Sequence, residues 1–217
     1  MARESQVALV ARTAEIIRGL AAAYPGAHCE LNFSNPLELL VATILSAQCT
    51  DKQVNLVTKG LFEKYRAAAD FANAEVKDLE QDIRRIGLFR NKAKNIKACC
   101  QTLVERHGGV VPRTMFELVN LAGVGRKTAN VVLGNAYHTN AGVVVDTHVA
   151  RLSARLGLSR AKGAEKIEEA LMKLVPVEDW ANFSHWLIWH GRRRCGARKP
   201  DCTNCEINSL CPSAGKV

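Results

Sequence analysis

The chain has 217 residues, 47% hydrophobic and 24% charged, so it can bury a sizeable core in one domain or two small lobes, and disorder is not expected. Lys and Arg outnumber Asp and Glu by 30 to 21, a formal charge of +9, which suits a polyanionic partner such as nucleic acid or an anionic membrane surface. No run approaches the roughly 18 apolar residues needed to span a bilayer. Arg12, Glu15 and Arg18 interrupt what would have to be a signal core, so no targeting segment is expected.

Taken in order, the chain reads as helical almost throughout. Val10, Ala14, Ile17 and Ala21 mark one face of a first helix that stops before Pro25-Gly26. Asn35-Pro36-Leu37-Glu38 supplies a cap, a proline at the first helical position and a carboxylate three residues on. The run from Leu39 to Ala47 is apolar nearly all round, which predicts a central helix. Thr50 to Gln53 resembles a second capping box, and Val54, Val57, Leu61, Phe62 and Tyr65 keep helical spacing behind it. Val76, Leu79 and Ile83 predict a short helix ended by Gly87. Ala93, Ile96, Cys100, Leu103 and Val104 predict the next, closed by Gly108-Gly109. Thr114 with Glu117 opens a further short helix. Gly142 to Val145 is the one strand-like piece, too short to found a sheet. Asp146 caps a helix bearing Val149, Leu152 and Leu156. Ile167, Ala170, Leu171 and Leu174 form another face, and Trp180, Phe183 and Leu187 mark the last long helix. The class is all-α, with a lobe boundary near residues 140–145.

Leu121 to Ala129 reads Leu-Ala-Gly-Val-Gly-Arg-Lys-Thr-Ala, two glycines one residue apart between two helix-like segments. Glycine permits positive φ and lets backbone approach a ligand closely. A helix opening at Arg126 would aim its free N–H groups back at this turn, a setting that favours phosphate, with Lys127 in its first turn. A lone Gly-x-Gly is more often a plain helix connection.

Cys195, Cys202, Cys205 and Cys211 read C-x6-C-x2-C-x5-C within 17 residues. Four thiolates this dense can wrap one tetrahedral zinc or one iron–sulfur cubane, in a reducing, cytoplasmic compartment. Structural zinc sites usually pair two short knuckles, and only one such pair exists here, so the spacing leans toward iron–sulfur and leaves zinc open. Arg192, Arg193, Arg194, Arg198 and Lys199 surround these cysteines, and a metal-tied loop so basic makes a phosphate-facing patch. Cys29, Cys49, Cys99 and Cys100 are expected only to pack.

The hairpin, then Val145-Asp146-Thr147-His148, then the four cysteines resemble in their joint order the endonuclease III family of helix-hairpin-helix DNA glycosylases and abasic-site lyases. Ser46 to Asp51 and Gly87-Leu88-Phe89 fall where that family has DNA-inserting loops, and the likeness runs from about residue 10 to 211. It implies two helical lobes with a DNA-binding cleft between them. Residues 29–141 would be a six-helix barrel containing the hairpin, and residues 1–28 with 142–217 a lobe around a [4Fe-4S] cluster. The implied partner is duplex DNA carrying an oxidised pyrimidine or an abasic site, bound by a monomer.

The resemblance makes Lys127 the nucleophile at the sugar C1′ and Asp146 the group that takes up a proton or stabilises charge on the sugar. An ammonium cannot attack. The positive end of a helix and a partly desolvated cleft both disfavour the charged form. Gln48 and Leu88 would fill the space left by a flipped nucleotide and wedge the opposite strand. Gly123, Gly125 and Arg126 would grip the backbone, with His148, Arg198 and Lys199 as further contacts; a packed histidine is an equal reading of His148. Ala122 stands where the family commonly has proline, which should loosen the turn. The alternatives are the adenine-specific branch of the same superfamily, disfavoured by Lys127, and a non-catalytic DNA-binding module with structural zinc.

Overall fold

A computed structural model describes residues 4–216, and among them all regular structure is helical. There are α1 (Gln6–Ala23), α2 (Pro36–Ser46), α3 (Asp51–Lys64), α4 (Ala68–Asn73), α5 (Val76–Asp82), α6 (Phe89–His107), α7 (Met115–Val119), α8 (Arg126–Ala136), α9 (Thr147–Arg155), α10 (Ala164–Met172) and α11 (Trp180–Arg193), with two short 3-10 turns at Val177–Asp179 and Asn208–Leu210. The chain divides into two compact units, Cys29–Thr139 and Met1–His28 with Asn140–Val217.

The Cys29–Thr139 unit is built on α2. Asn35 caps it, its Oδ1 accepting the Glu38 N–H at 3.0 Å, and Pro36 follows at the first helical position. The Glu38 carboxylate reaches back one residue further than a capping box requires and accepts from the N–H and hydroxyl of Ser34. Leu39 through Leu45 are all buried, and α3, α6 and α8 pack around them. Each fully buried leucine here stabilises the fold by about 1.5–3 kcal/mol. Helix α6 in turn packs on α4 and α5, and ends at Gly108 and Gly109, both at positive φ. Helix α4 escapes the sequence pattern because six residues are too few for a period to register. Its start is held by Asp70, whose Oδ2 accepts from the N–H groups of Arg66 and Ala67 at 2.8 and 2.9 Å.

In the other unit α9 packs on α10 and α11, and α11 on α1. The core runs through Ile16, Leu20, Val143, Val149, Leu152, Leu171, Phe183 and Leu187. Two expectations are corrected here. The buried face of α1 is Thr13, Ile16, Ile17 and Leu20, while Val10 is exposed: the period is right and the phase is rotated. The apolar run at 142–145 is no strand. Val143, Val144 and Val145 thread between helices, and the Val144 N–H is satisfied by the Ser184 hydroxyl at 2.9 Å. Arg12 of α1 donates from Nη1 to the carbonyls of Leu156 and Leu210, at 2.8 and 3.0 Å, which ties α1 to the end of α9 and to the chain beside Cys211.

Candidate functional site

Within the Cys29–Thr139 unit three loops meet around the first turns of α6. The hairpin is the first. The Val124 N–H donates to the Leu121 carbonyl at 3.1 Å, which closes a turn with Ala122 and Gly123 at its centre, and Gly123 has φ +75°. Positive φ at the third residue of such a turn is the type II geometry that asks for glycine. A Cβ on Gly123 would also sit 2.9 Å from the Asn95 Cβ, so the turn lies tight against α6. Gly125 precedes α8, and no side chain caps that helix, whose first turn holds the exposed Arg126 and Lys127. An anion is the natural complement of that end.

The other two loops carry Gln48 and Leu88. Both are exposed and both sit in the left-handed region, at φ 54° and 59°. A non-glycine residue held there costs about 1–2 kcal/mol, a strain that clusters at functional sites. The loops are neighbours: a Cβ on Gly87 would lie 3.9 Å from the Gln48 carbonyl oxygen. Lys92, only 4% exposed, links them, its Nζ donating to the carbonyls of Leu45 at 2.9 Å and Ala47 at 2.6 Å. Burial pulls the Lys92 ammonium below the ordinary lysine pKa.

In the second unit Asp146 caps α9, its Oδ1 accepting the Val149 N–H at 2.8 Å. Two residues on, in the first turn of α9, His148 is half-buried. Its Nδ1 lies 3.1 Å from Arg151 Nη2, and its ring packs so closely on α11 that a Cβ at Gly191 would approach Nδ1 to 2.8 Å. Burial, reinforced by Arg151 and Arg192 and opposed by Asp146, pulls its pKa down. His148 is therefore packed as well as near Asp146.

The four C-terminal cysteines line one pocket together with Leu152, Arg155, His190 and Ile207. Arg155 Nη1 donates to the Cys195 Sγ at 3.2 Å and the Gly196 carbonyl at 2.7 Å, and Nη2 donates to Ala197. His190 is buried between the Tyr24 hydroxyl, 3.0 Å from Nδ1, and the Cys205 Sγ, 3.5 Å from Nε2; burial lowers its pKa to about 4. Among the described residues no three His, Cys, Asp or Glu side chains form a set fit to hold a single metal ion. Four cysteines lining one pocket supply a thiolate donor set that suits a metal centre, zinc or iron–sulfur. Arg198 and Lys199 are exposed on the loop that Arg155 holds. Arg194 does not join that basic surface, because Asp201 at 2.7 Å and Glu206 at 2.9 Å neutralise it. Of the remaining cysteines, Cys99 and Cys100 are buried as expected, burial raising the Cys99 thiol to about 12, whereas Cys29 and Cys49 are only partly covered.

Residues 41–177 match the model of the helix-hairpin-helix superfamily of base excision DNA repair proteins. The endonuclease III of a Synechocystis species is 54% identical over 94% of this chain and 93% of its own length, and that of Bacillus subtilis 51% over 89% and 88%. This chain belongs to the endonuclease III family. A trapped endonuclease III–DNA covalent intermediate shares its fold at a TM-score of 0.90, with 47% identity over 94% of this chain and 96% of that one.

As a member of the endonuclease III family the chain displays Gln48, Leu88, Gly123, Gly125, Arg126 and Lys127 on one unit, and Asp146, His148, Arg198, Lys199 and the cysteines on the other. Lys92, Asn95, Arg155 and His190 were not visible in the sequence. Lys92 and Arg155 occupy helix positions that read as ordinary solvated charge, and only tertiary packing turns their side chains onto carbonyls. The four-residue step from Arg151 to Arg155 was the sole trace, since it places two cations on one face of α9.

Proposed function

We propose that the protein is a base-excision DNA glycosylase that removes oxidised pyrimidines from duplex DNA and then cleaves the resulting abasic site. The observation that supports it most directly is the uncapped, glycine-led start of α8 with an exposed Lys127 in its first turn, in a chain 47% identical to an endonuclease III captured as a covalent DNA intermediate. The damaged nucleotide leaves the stack, and Gln48 and Leu88 occupy the space it vacates. The α8 N–H groups, with Arg126, hold the adjoining phosphate through the turn that Gly123 and Gly125 permit. Neutral Lys127 Nζ attacks C1′, the glycosidic bond breaks, and the base leaves with a proton. Asp146 stabilises the positive charge that grows on the sugar and receives a proton released from the amine. The C1′–O4′ bond then opens, its oxygen taking up the proton held by Asp146, and leaves a Schiff base between Nζ and C1′; this acidifies C2′, so loss of a C2′ proton expels the 3′ phosphate and cuts the strand.

The residues 29–139 serve as the hairpin domain, and the remainder as the domain of the metal centre. Cys195, Cys202, Cys205 and Cys211 would hold a [4Fe-4S] cluster, which when bound braces the loop carrying Arg198 and Lys199 against α9 and α11. His148 packs on α11 and adds a phosphate contact.

Lys127→Gln tests this scheme, because it keeps the length of the side chain and removes the nucleophile. Binding to abasic duplex, measured by gel shift, should stay within about threefold of wild type. Strand cleavage should fall by at least about 10³. Parallel loss of both would make Lys127 a binding residue only.

A further inference from the structure

Gln48 and Leu88 come from separate loops, yet both hold the same uncommon backbone conformation, and one residue touches the backbone of each. The Ala47 carbonyl that accepts from Lys92 Nζ at 2.6 Å belongs to the peptide bond joining Ala47 to Gln48. Fixing that peptide plane limits the φ that Gln48 can adopt. The backbone N–H of the same lysine donates to the Leu88 carbonyl at 3.1 Å, the first turn of α6. Its second ammonium bond, to the Leu45 carbonyl, together with the Ala47 bond satisfies orphan acceptors at the C-terminal end of α2, where the helix dipole favours a cation. Lys92 is buried and three residues from Asn95, which abuts the hairpin glycine. It does not reach the exposed surface where DNA would lie.

We propose that Lys92 is a positioning residue for the DNA wedge: its ammonium holds the Ala47–Gln48 peptide and its N–H holds the Leu88 carbonyl, so that both left-handed residues stand ready before DNA arrives. This rests on reading Gln48 and Leu88 as the wedge. A side chain of the same length without donors, as in Lys92→Met, would free the Gln48 loop while leaving Lys127 and Asp146 in place. Lys92→Arg keeps the charge and the donors, and should retain most of the function.

The test is the ratio of abasic-site cleavage on duplex DNA to cleavage on the same strand alone, because a single strand has no stack to open and no opposite base to prop. Both rates come from one preparation, so the ratio does not depend on the fraction folded. Gln48→Ala sets the scale and should lower the ratio about tenfold; Lys92→Met should lower it comparably, Lys92→Arg less, and Lys92→Met should add little on top of Gln48→Ala. A 2-aminopurine opposite the abasic site should brighten on binding wild type and brighten less with Lys92→Met. An unchanged ratio for Lys92→Met beside a lowered one for Gln48→Ala overturns the role of Lys92. An unchanged ratio for Gln48→Ala overturns the wedge reading itself. A strictly additive double variant shows Lys92 acting apart from Gln48 and also overturns the proposal.

Discussion

At the scale of single residues, the hairpin turn shows how narrowly this surface constrains its side chains. Gly123 is fixed twice, by φ +75° and by the 2.9 Å approach of a Cβ to Asn95. Gly123→Ala should cost about 1–3 kcal/mol from backbone strain, plus whatever displacement of α6 the contact forces. Its neighbour behaves oppositely. Ala122 occupies the second position of a type II turn, where proline is favoured, so Ala122→Pro should stabilise by about 0.4–1 kcal/mol by narrowing the unfolded ensemble. Thermal unfolding followed by circular dichroism reads both. A fall for Gly123→Ala and a rise of a few degrees for Ala122→Pro are expected, and a destabilised proline variant would show that the turn is not type II.

At the scale of elements, what the sequence revealed and what it hid divide on one physical line. Helices with local signals were legible: Asn35-Pro36 opening α2, Thr114 with Glu117 opening α7, Asp146 capping α9, and the all-apolar run of α2 that α3, α6 and α8 surround. Those features rest on contacts within four residues. Features set by distant partners were not legible. The rotation of α1 follows from what it packs on, the extended path of Val143 to Val145 from the helices around it, and the loss of Arg194 from the basic patch from Asp201 and Glu206. The candidate site was legible to the same degree. Lys127, Asp146 and the cysteines carry motif spacing, while Lys92, which holds the Gln48 and Leu88 loops, and Arg155, which holds the Cys195 loop, carry none.

The proposed metal centre belongs to this scale too, because α9, α11 and the C-terminal loop jointly build the pocket that the four cysteines line. Purified under argon, the protein should be brown, absorb broadly near 400 nm, and contain roughly four iron and four sulfide per chain. Stoichiometric zinc without sulfide would make the site mononuclear and contradict the cluster proposal.

At the scale of the whole molecule, a basic helical chain of formal charge +9 presents one unit that carries the glycine hairpin with Lys127 and one that carries the four C-terminal cysteines. No described helix is long and apolar enough to cross a membrane, and the surplus charge is accounted for by a DNA backbone. The central claim is covalent: Lys127 joins to the sugar. Borohydride trapping on duplex DNA carrying thymine glycol or an abasic site tests it most directly, since reduction converts a Schiff base into a stable cross-link. Wild type should give a covalent protein–DNA band that maps by mass spectrometry to Lys127 and is absent from Lys127→Ala. No adduct with wild type, or an adduct at another residue, would contradict the account.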